Sequence, residues 1–146
     1  MDTLPCRRQI PHWEHSGGTV CLTWRLHRDQ RRLEDAEREV VFDVLRKCGP
    51  EFGEILTAVV MDDHVHVLAR PARDVTAQRL ASCWKGASSH RLCAECGRRA
   101  PVWQRAYFDR WMRSEDQSIA CAQYIVDNPR RRWPEVEDYQ WLIHPR

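Results

Sequence analysis

Apolar residues recur about every two residues in some segments of the chain, which is typical of a strand, and about every 3.6 residues in others, which is typical of a helix. One helix is predicted where Val41, Val44 and Leu45 share a stripe before a stop at Gly49-Pro50. Asp62-Asp63 separates two β-rich runs and predicts a hairpin turn. In chain order we predict a strand over 19–26, a helix over 34–48, strands over 54–61 and 64–69, a helix over 76–92 and a strand over 102–109.

A third helix is predicted to begin after Ser114, an N-cap residue followed by two acidic residues, and to stop at Asn128 because a proline follows. At 100° per residue, the apolar residues of this helix fall in one arc, which is the predicted packing face. Tyr124 and Asn128 lie on the opposite side of the helix, separated from each other by about 40° around the axis and about 6 Å along it. The apolar arc consists of Ile119, Ala122, Ile125 and Val126.

The order β-α-β-β-α-β is that of the split βαβ, or ferredoxin-like, arrangement. We therefore predict an α+β fold with an antiparallel four-stranded sheet, two helices on one face, and an additional C-terminal helix that carries Tyr124 on or beside the sheet. A chain of 146 residues has the length of one domain, so a single domain over 1–146 is expected.

Composition excludes several classes of protein. No apolar run approaches the roughly 18–20 residues that span a bilayer, and the N-terminus lacks a secretory signal, so a cytoplasmic protein without a membrane partner is expected. Seven widely spaced cysteines favour reduced thiols over a disulfide framework. Cys93 and Cys96 form one close pair near His90, but no second pair at similar spacing completes a structural zinc site.

Charge is unevenly distributed, although the net charge is only +2. Residues 64–113 carry ten Lys or Arg against three acidic residues. A basic block of this size can bind a phosphate backbone, and the alternative is an ordinary solvated surface.

His64-Val65-His66 is the sharpest local motif. On a strand, side chains two residues apart point to the same face, so the two imidazoles project together. Such a pair forms half of a divalent-metal site; the alternative is two polar residues on an exposed strand face.

The third helix supplies groups that would complete such a site. The histidines and the Asn128 amide oxygen could hold Mg²⁺ or Mn²⁺ against a phosphodiester, and Oη of Tyr124 could attack phosphorus. A phenol ionises near pH ~10, so it needs a nearby cation to react at neutral pH. The alternative for Tyr124 is an ordinary amphipathic residue at the surface.

At this point the sequence resembles the REP-associated tyrosine transposases, a domesticated branch of the IS200-like family of single-tyrosine transposases. His64-Val65-His66 looks like the family's His-hydrophobe-His motif. Further matching segments lie in order over nearly the whole chain, at 17–19, 23–26, 60–71, 84–85, 102–104, 107–110, 113–115, 124–129 and 137–141. Two segments depart from the family: Asp62-Asp63 replaces Pro-Asn or Pro-Asp, and Arg130 to Trp133 replaces an apolar stretch with Ala-Gly.

The resemblance implies a metal-dependent strand transferase that cleaves and rejoins single-stranded, hairpin-forming DNA through a 5′-phosphotyrosine. It makes Tyr124 the nucleophile, and His64, His66 and Asn128 the ligands of Mg²⁺ or Mn²⁺. The candidate phosphate contacts are Arg25, Lys85, Arg105, Arg110 and Arg113, for each of which a solvated surface role is the alternative.

Two other functions remain open from the sequence. One is a catalytically retired DNA-binding protein that recognises repeated palindromes, and the other is an RNA-binding domain, although no RNP-type aromatic pattern lies on the strands. The resemblance also implies a monomer or a homodimer, associated with the nucleoid.

Overall fold

The computed structural model describes residues 18–145, which form five strands and three α-helices. The strands are β1 (Val20–Leu26), β2 (Gly53–Val60), β3 (His64–Pro71), β4 (Trp103–Trp111) and β5 (Leu142–Ile143). The helices are α1 (Asp35–Lys47), α2 (Ala77–Cys96) and α3 (Glu115–Arg132), and a short 3₁₀ turn over Pro50–Phe52 links α1 to β2.

The strands form one sheet in the order β4-β1-β3-β2-β5, and all four neighbouring pairs are antiparallel. The first four strands have the order of the ferredoxin-like arrangement, which confirms the predicted α+β fold. Strand β5 was not predicted, because two residues are too few to show a period. It extends the sheet at β2, where Ala58 pairs with Ile143 and Val59 with Leu142.

The two faces of the sheet carry separate cores. Alternate residues of β1 (Val20, Leu22 and Trp24) are fully buried on the face that α1 and α2 cover. The opposite face carries the smaller core, to which α3 contributes. Its buried members are Val59, Met61, Leu68, Met112 and Ile125.

The packing face of α3 differs from the predicted one. Ile119 is 60% exposed, whereas Ile125, Asn128 and Pro129 are buried. The inward arc is therefore centred on Ile125, and it is turned so that Asn128 faces inward and Tyr124 lies at its edge. The prediction that these two polar residues face away from the packing side is wrong, because their burial follows from contacts with β3 rather than from their own hydrophobicity.

Helix α3 also continues past its predicted end at Asn128. Pro129 lies inside the helix, which runs to Arg132. A proline removes only its own N–H from the helical ladder, and the N–H of Trp133 still donates to the Pro129 carbonyl at 2.7 Å.

Two other boundaries move. Helix α2 extends to Cys96 rather than ending near Leu92, and Gly97 closes it with a left-handed φ of 73°. Cys93 and Cys96 are half-buried against the larger core. Strand β4 runs two residues beyond the predicted Asp109.

Within residues 18–145, no helix is both long and apolar enough to cross a membrane.

A buried ion pair joins α1 to the loop that follows α2. The guanidinium of Arg98 donates to the Glu37 carboxylate from Nε at 2.7 Å and from Nη2 at 2.9 Å. Both side chains are at most 5% exposed. Burial acts to raise the pKa of Glu37, but hydrogen bonds from Arg98, the Glu34 backbone and Arg31 outweigh it and lower the pKa to about 2.

We predict that Glu37→Gln lowers the free energy of unfolding by about 3–5 kcal/mol, because it leaves the Arg98 charge buried without its counter-ion. Urea denaturation measures the effect. Glu54→Gln is the matched control, since its 3.2 Å pair with Arg70 is exposed and is worth no more than about 1 kcal/mol. Equal losses in the two variants would contradict the assignment.

The same pair predicts a pH dependence. The folded-state pKa of Glu37, about 2, lies below the ordinary value of 4.5. The advantage of the wild type over Glu37→Gln is therefore full above about pH 4.5 and declines as the pH falls toward 2. Denaturation at pH 7 and pH 3 should show the difference shrinking at the lower pH.

Candidate active site

The histidine pair lies on β3, on the sheet face that carries α3. His64 and His66 are 9% and 8% exposed, and their ring centroids are 4.6 Å apart. Val65 points to the other face and packs into the larger core. The alternation of the strand thus brings the two imidazoles together, as the motif predicted, and the pair is buried rather than exposed to solvent.

Each imidazole is held through its Nδ1 atom. Nδ1 of His64 donates to Oδ1 of Asp63 at 2.7 Å, and this bond lowers the pKa of the Asp63 carboxyl. Nδ1 of His66 shares a 2.8 Å hydrogen bond with Oγ1 of Thr23 on β1. Histidines that bind metals are commonly oriented in this way, because a bonded Nδ1–H leaves the lone pair of Nε2 for the ion.

The electrostatic surroundings keep His66 neutral. Burial lowers the pKa of its imidazole to about 3, with further contributions from the nearby His64, Arg25 and Arg131. A histidine must be uncharged to donate a lone pair to a cation. His66 is therefore in the protonation state that a metal ligand requires at neutral pH.

Two imidazoles and an amide oxygen are groups that could hold a divalent cation. Among residues 18–145, no group of three or more His, Cys, Asp or Glu side chains could hold a metal. Asn128, 7% exposed on the inward side of α3, carries an amide oxygen that could serve as a further ligand. The side chains that could hold a divalent cation here are therefore His64, His66 and Asn128.

Tyr124 meets the histidine pair from α3. Its half-buried ring lies 5.5 Å from the ring of His66 in an edge-to-face contact. Asn128 follows one helical turn later. Of the three tyrosines in the chain, Tyr139 donates its hydroxyl to the Val60 carbonyl at 2.7 Å, and Tyr107 faces the larger core. The structure thus brings Tyr124 to the histidines and gives the other two phenols different neighbours.

Three residues at the site were not predicted from the sequence. Asp63 and Thr23 orient the histidines, and Arg131 places its guanidinium 4.3 Å from the centre of the Tyr124 ring. The position of Arg131, seven residues or two turns after Tyr124, is a signal that could have found it. Thr23 gave no signal, since 43 residues separate it from His66.

The candidate phosphate contacts are distributed unevenly around this site. In the antiparallel ladders Arg25 lies opposite His64, and Arg110 lies opposite Cys21. Directly paired residues share a face, so both arginines lie on the histidine face of the sheet. Both are exposed, as are Arg105 and Arg113.

Lys85 has a structural role in addition to any contact with DNA. Its ammonium group is half-buried and donates to the Gln104 carbonyl at 2.8 Å and the Arg105 carbonyl at 3.0 Å. Two of its three N–H donors therefore hold α2 to β4. Burial lowers the pKa of this lysine.

Comparison with known proteins agrees with this geometry. The family model described as "Transposase IS200 like" matches residues 16–128. Among solved structures, a REP-associated tyrosine transposase bound to a REP hairpin has a TM-score of 0.60 at 20% identity, over 91% of this chain and 72% of its own. A Deinococcus radiodurans R1 protein assigned as a transposase has a TM-score of 0.59 at 24% identity, over 77% of this chain and 91% of its own.

These two structures show a shared fold, and among curated proteins no significant match was found. The family match covers most of the chain and includes the histidine pair, Tyr124 and Asn128. The chain therefore belongs to the IS200-like transposases, a family of enzymes that act on DNA.

Proposed function

We propose that this transposase cleaves and rejoins one DNA strand through a covalent bond between Tyr124 and a 5′-phosphate, with a single-stranded DNA hairpin as its substrate. The observation that carries the proposal is the contact of the Tyr124 ring with His66, within a buried histidine pair whose Nδ1 atoms are both hydrogen-bonded. The shared fold with a transposase solved on a REP hairpin supports the choice of substrate.

The reaction exchanges one phosphate ester for another. Oη of Tyr124 forms a bond to phosphorus, and the bond from phosphorus to the 3′-oxygen of the preceding nucleotide breaks. The phenol gives up its proton, and the departing 3′-oxygen gains one to become a free 3′-OH. In the reverse direction a 3′-OH attacks the phosphotyrosine, which rejoins the strand and restores the phenol.

His64, His66 and Asn128 are the residues that would hold the divalent cation. A bound Mg²⁺ or Mn²⁺ would polarise the phosphodiester and stabilise the charge that develops on it. The chain itself contributes two imidazoles in fixed orientations, His64 through Asp63 and His66 through Thr23.

Arg131 supplies a second positive charge at the nucleophile. Its guanidinium lies over the Tyr124 ring at 4.3 Å, within the range in which a cation is attracted to an aromatic face. A guanidinium at this distance can meet the negative charge of the phosphate that the tyrosine attacks.

The surface for DNA is the part of the sheet beside α3. Helix α3 packs on β2 and β3, so the same face of β1 and β4 lies next to it. Arg25 and Arg110 project from this surface, and the phosphate contacts assigned to Arg105 and Arg113 would extend it along β4. Lys85 lies on α2, which covers the opposite face of the sheet, so its contact with DNA would be at the edge of β4.

All the groups at the site belong to β1, β3, α3 and the turn before β3 of one chain. We therefore place the activity in a single domain, whose monomer holds one nucleophile beside one histidine pair. The DNA substrate places such an enzyme in the cytoplasm, at the nucleoid.

His64→Ala and His66→Ala should each lower the rate of hairpin cleavage by more than about 100-fold, whereas Thr23→Val should cost about 10–100-fold, as is typical when a ligand loses its orienting partner. Binding of the hairpin should survive in all three variants, because phosphate contacts hold the DNA. His90→Ala, on the exposed side of α2, is the control. Cleavage by a histidine variant at nearly the wild-type rate would show that the pair does not bind the catalytic ion.

Tyr124→Phe should abolish cleavage without loss of hairpin binding. The substitution removes one hydroxyl and keeps the ring contact with His66, so the urea midpoint should change little. Tyr107→Phe is the matched control and should cleave normally. Undiminished cleavage by Tyr124→Phe would show that Tyr124 is not the nucleophile.

Arg131→Gln should slow cleavage by about 2- to 30-fold, which corresponds to the roughly 0.5–2 kcal/mol of a cation over an aromatic ring. Hairpin binding and the urea midpoint should change little, because the change leaves the contact of Tyr124 with His66 in place. Arg130→Gln, the exposed neighbouring residue, serves as control. A loss of cleavage accompanied by an equal fall in stability would indicate that Arg131 only stabilises the helix.

Binding to the hairpin should weaken steeply with salt, because arginines that neutralise phosphates release counter-ions. Arg25→Gln and Arg110→Gln should each reduce the slope of log K against log salt concentration by about one. Arg46→Gln, an exposed residue on α1 behind the opposite face of the sheet, should leave the slope unchanged. Unchanged slopes in the first two variants would place the DNA elsewhere.

A further inference from the structure

Two cysteines meet between β1 and α3, and the transposase chemistry uses neither of them. Sγ of Cys121 lies 2.8 Å from Sγ of Cys21, although 100 residues separate them in the chain. Both side chains are half-buried, and both pack against the smaller core under α3. A disulfide has an S–S distance of about 2.05 Å, so the sulfurs need to approach by only about 0.8 Å.

The surroundings favour a reactive thiolate at this pair. The hydrogen bond with Cys21 and the positive charge of Arg110 lower the pKa of the Cys121 thiol. The same hydrogen bond, together with burial, raises the pKa of Cys21. A thiol with a lowered pKa beside a second thiol that can resolve the first oxidation step is the usual arrangement of a redox-active pair.

We propose that Cys21 and Cys121 form a redox site, at which a peroxide or a small disulfide oxidises the two thiols to a reversible bond that ties α3 to β1. Each thiol loses its hydrogen and the two sulfurs join. The two electrons and two protons reduce hydrogen peroxide to two waters, or a small disulfide to two thiols.

This bond would act on both sides of the active site. Cys121 precedes Tyr124 by three residues on α3, and Cys21 precedes Thr23, the partner of His66, by two residues on β1. The rings of Tyr124 and His66 are in direct contact. A phosphodiester can therefore enter between them only if Tyr124 and α3 move away from His66. A covalent tie between α3 and β1 restrains that movement, a consequence that rests on the proposed strand transfer by Tyr124.

Other thiols provide internal controls. Cys48, at the end of α1, contributes to the raised pKa of Cys83 on α2. Cys93 and Cys96 lie one turn apart on α2. All four lie on elements that cover the opposite face of the sheet. Cys83→Ser should therefore behave as the wild type does, whereas Cys21→Ser and Cys121→Ser should lose the response to oxidants.

The experiment treats the full chain with hydrogen peroxide, alkylates the remaining thiols and maps the peptides by mass spectrometry. We expect a linkage of the peptides that contain Cys21 and Cys121, slower hydrogen exchange of the α3 amides, and reversal of both by dithiothreitol. Hairpin cleavage should fall by about 10- to 100-fold on oxidation and should recover on reduction. A rate loss of this size is typical when a nucleophile is slightly misplaced.

The outcomes separate the redox site from the proposed reaction. A missing linkage, or a linkage that leaves hydrogen exchange of α3 unchanged, overturns the redox site, and neither measurement needs DNA. Linkage with full cleavage activity overturns the restraint on Tyr124. If the reduced wild type does not cleave, the proposed strand transfer fails, while the peptide map and hydrogen exchange still decide the redox site.

Discussion

The contact of Ile125 with the sheet decides where every catalytic group of α3 stands. Ile125 is fully buried in the smaller core with Val59, Met61 and Leu68. Burial of such a side chain stabilises the contact by about 1.5–3 kcal/mol. Because successive helix residues are 100° apart, a turn of α3 that put Val126 in the place of Ile125 would take Tyr124 away from His66 and Asn128 out of the inward arc. The polar site thus depends on an apolar contact.

A second constraint joins the end of α3 to the turn before β3. Nη2 of Arg132 donates to Oδ2 of Asp62 at 2.9 Å, and Arg32 reaches the same carboxylate at 3.4 Å. The neighbouring Asp63 holds Nδ1 of His64. The two segments in which this chain departs from its family are therefore in contact, and their charges compensate each other. One acidic turn both anchors the end of α3 and orients the imidazole of His64.

Sequence patterns were sufficient for most of the fold, and they singled out the histidine pair beside which the structure places Tyr124. The strands and helices that pack on one face show clear periods, and α1 was placed to within one residue at each end. The face of α3 was predicted wrongly, because a pattern of hydrophobicity assigns Tyr124 and Asn128 to solvent while the site needs them inward. The partners Thr23 and Arg131 depend on contacts between distant segments, which no local pattern contains.

The central claim is that Tyr124, positioned beside His66 of its own chain, becomes covalently attached to DNA. The most direct test is to incubate the wild-type protein with a labelled hairpin and Mg²⁺, denature it, digest the trapped adduct and locate the nucleotide by mass spectrometry. We predict a 5′-phosphate on the peptide that contains Tyr124. A nucleotide on the peptide of Tyr107 or Tyr139, or cleavage with no adduct at all, would contradict this account.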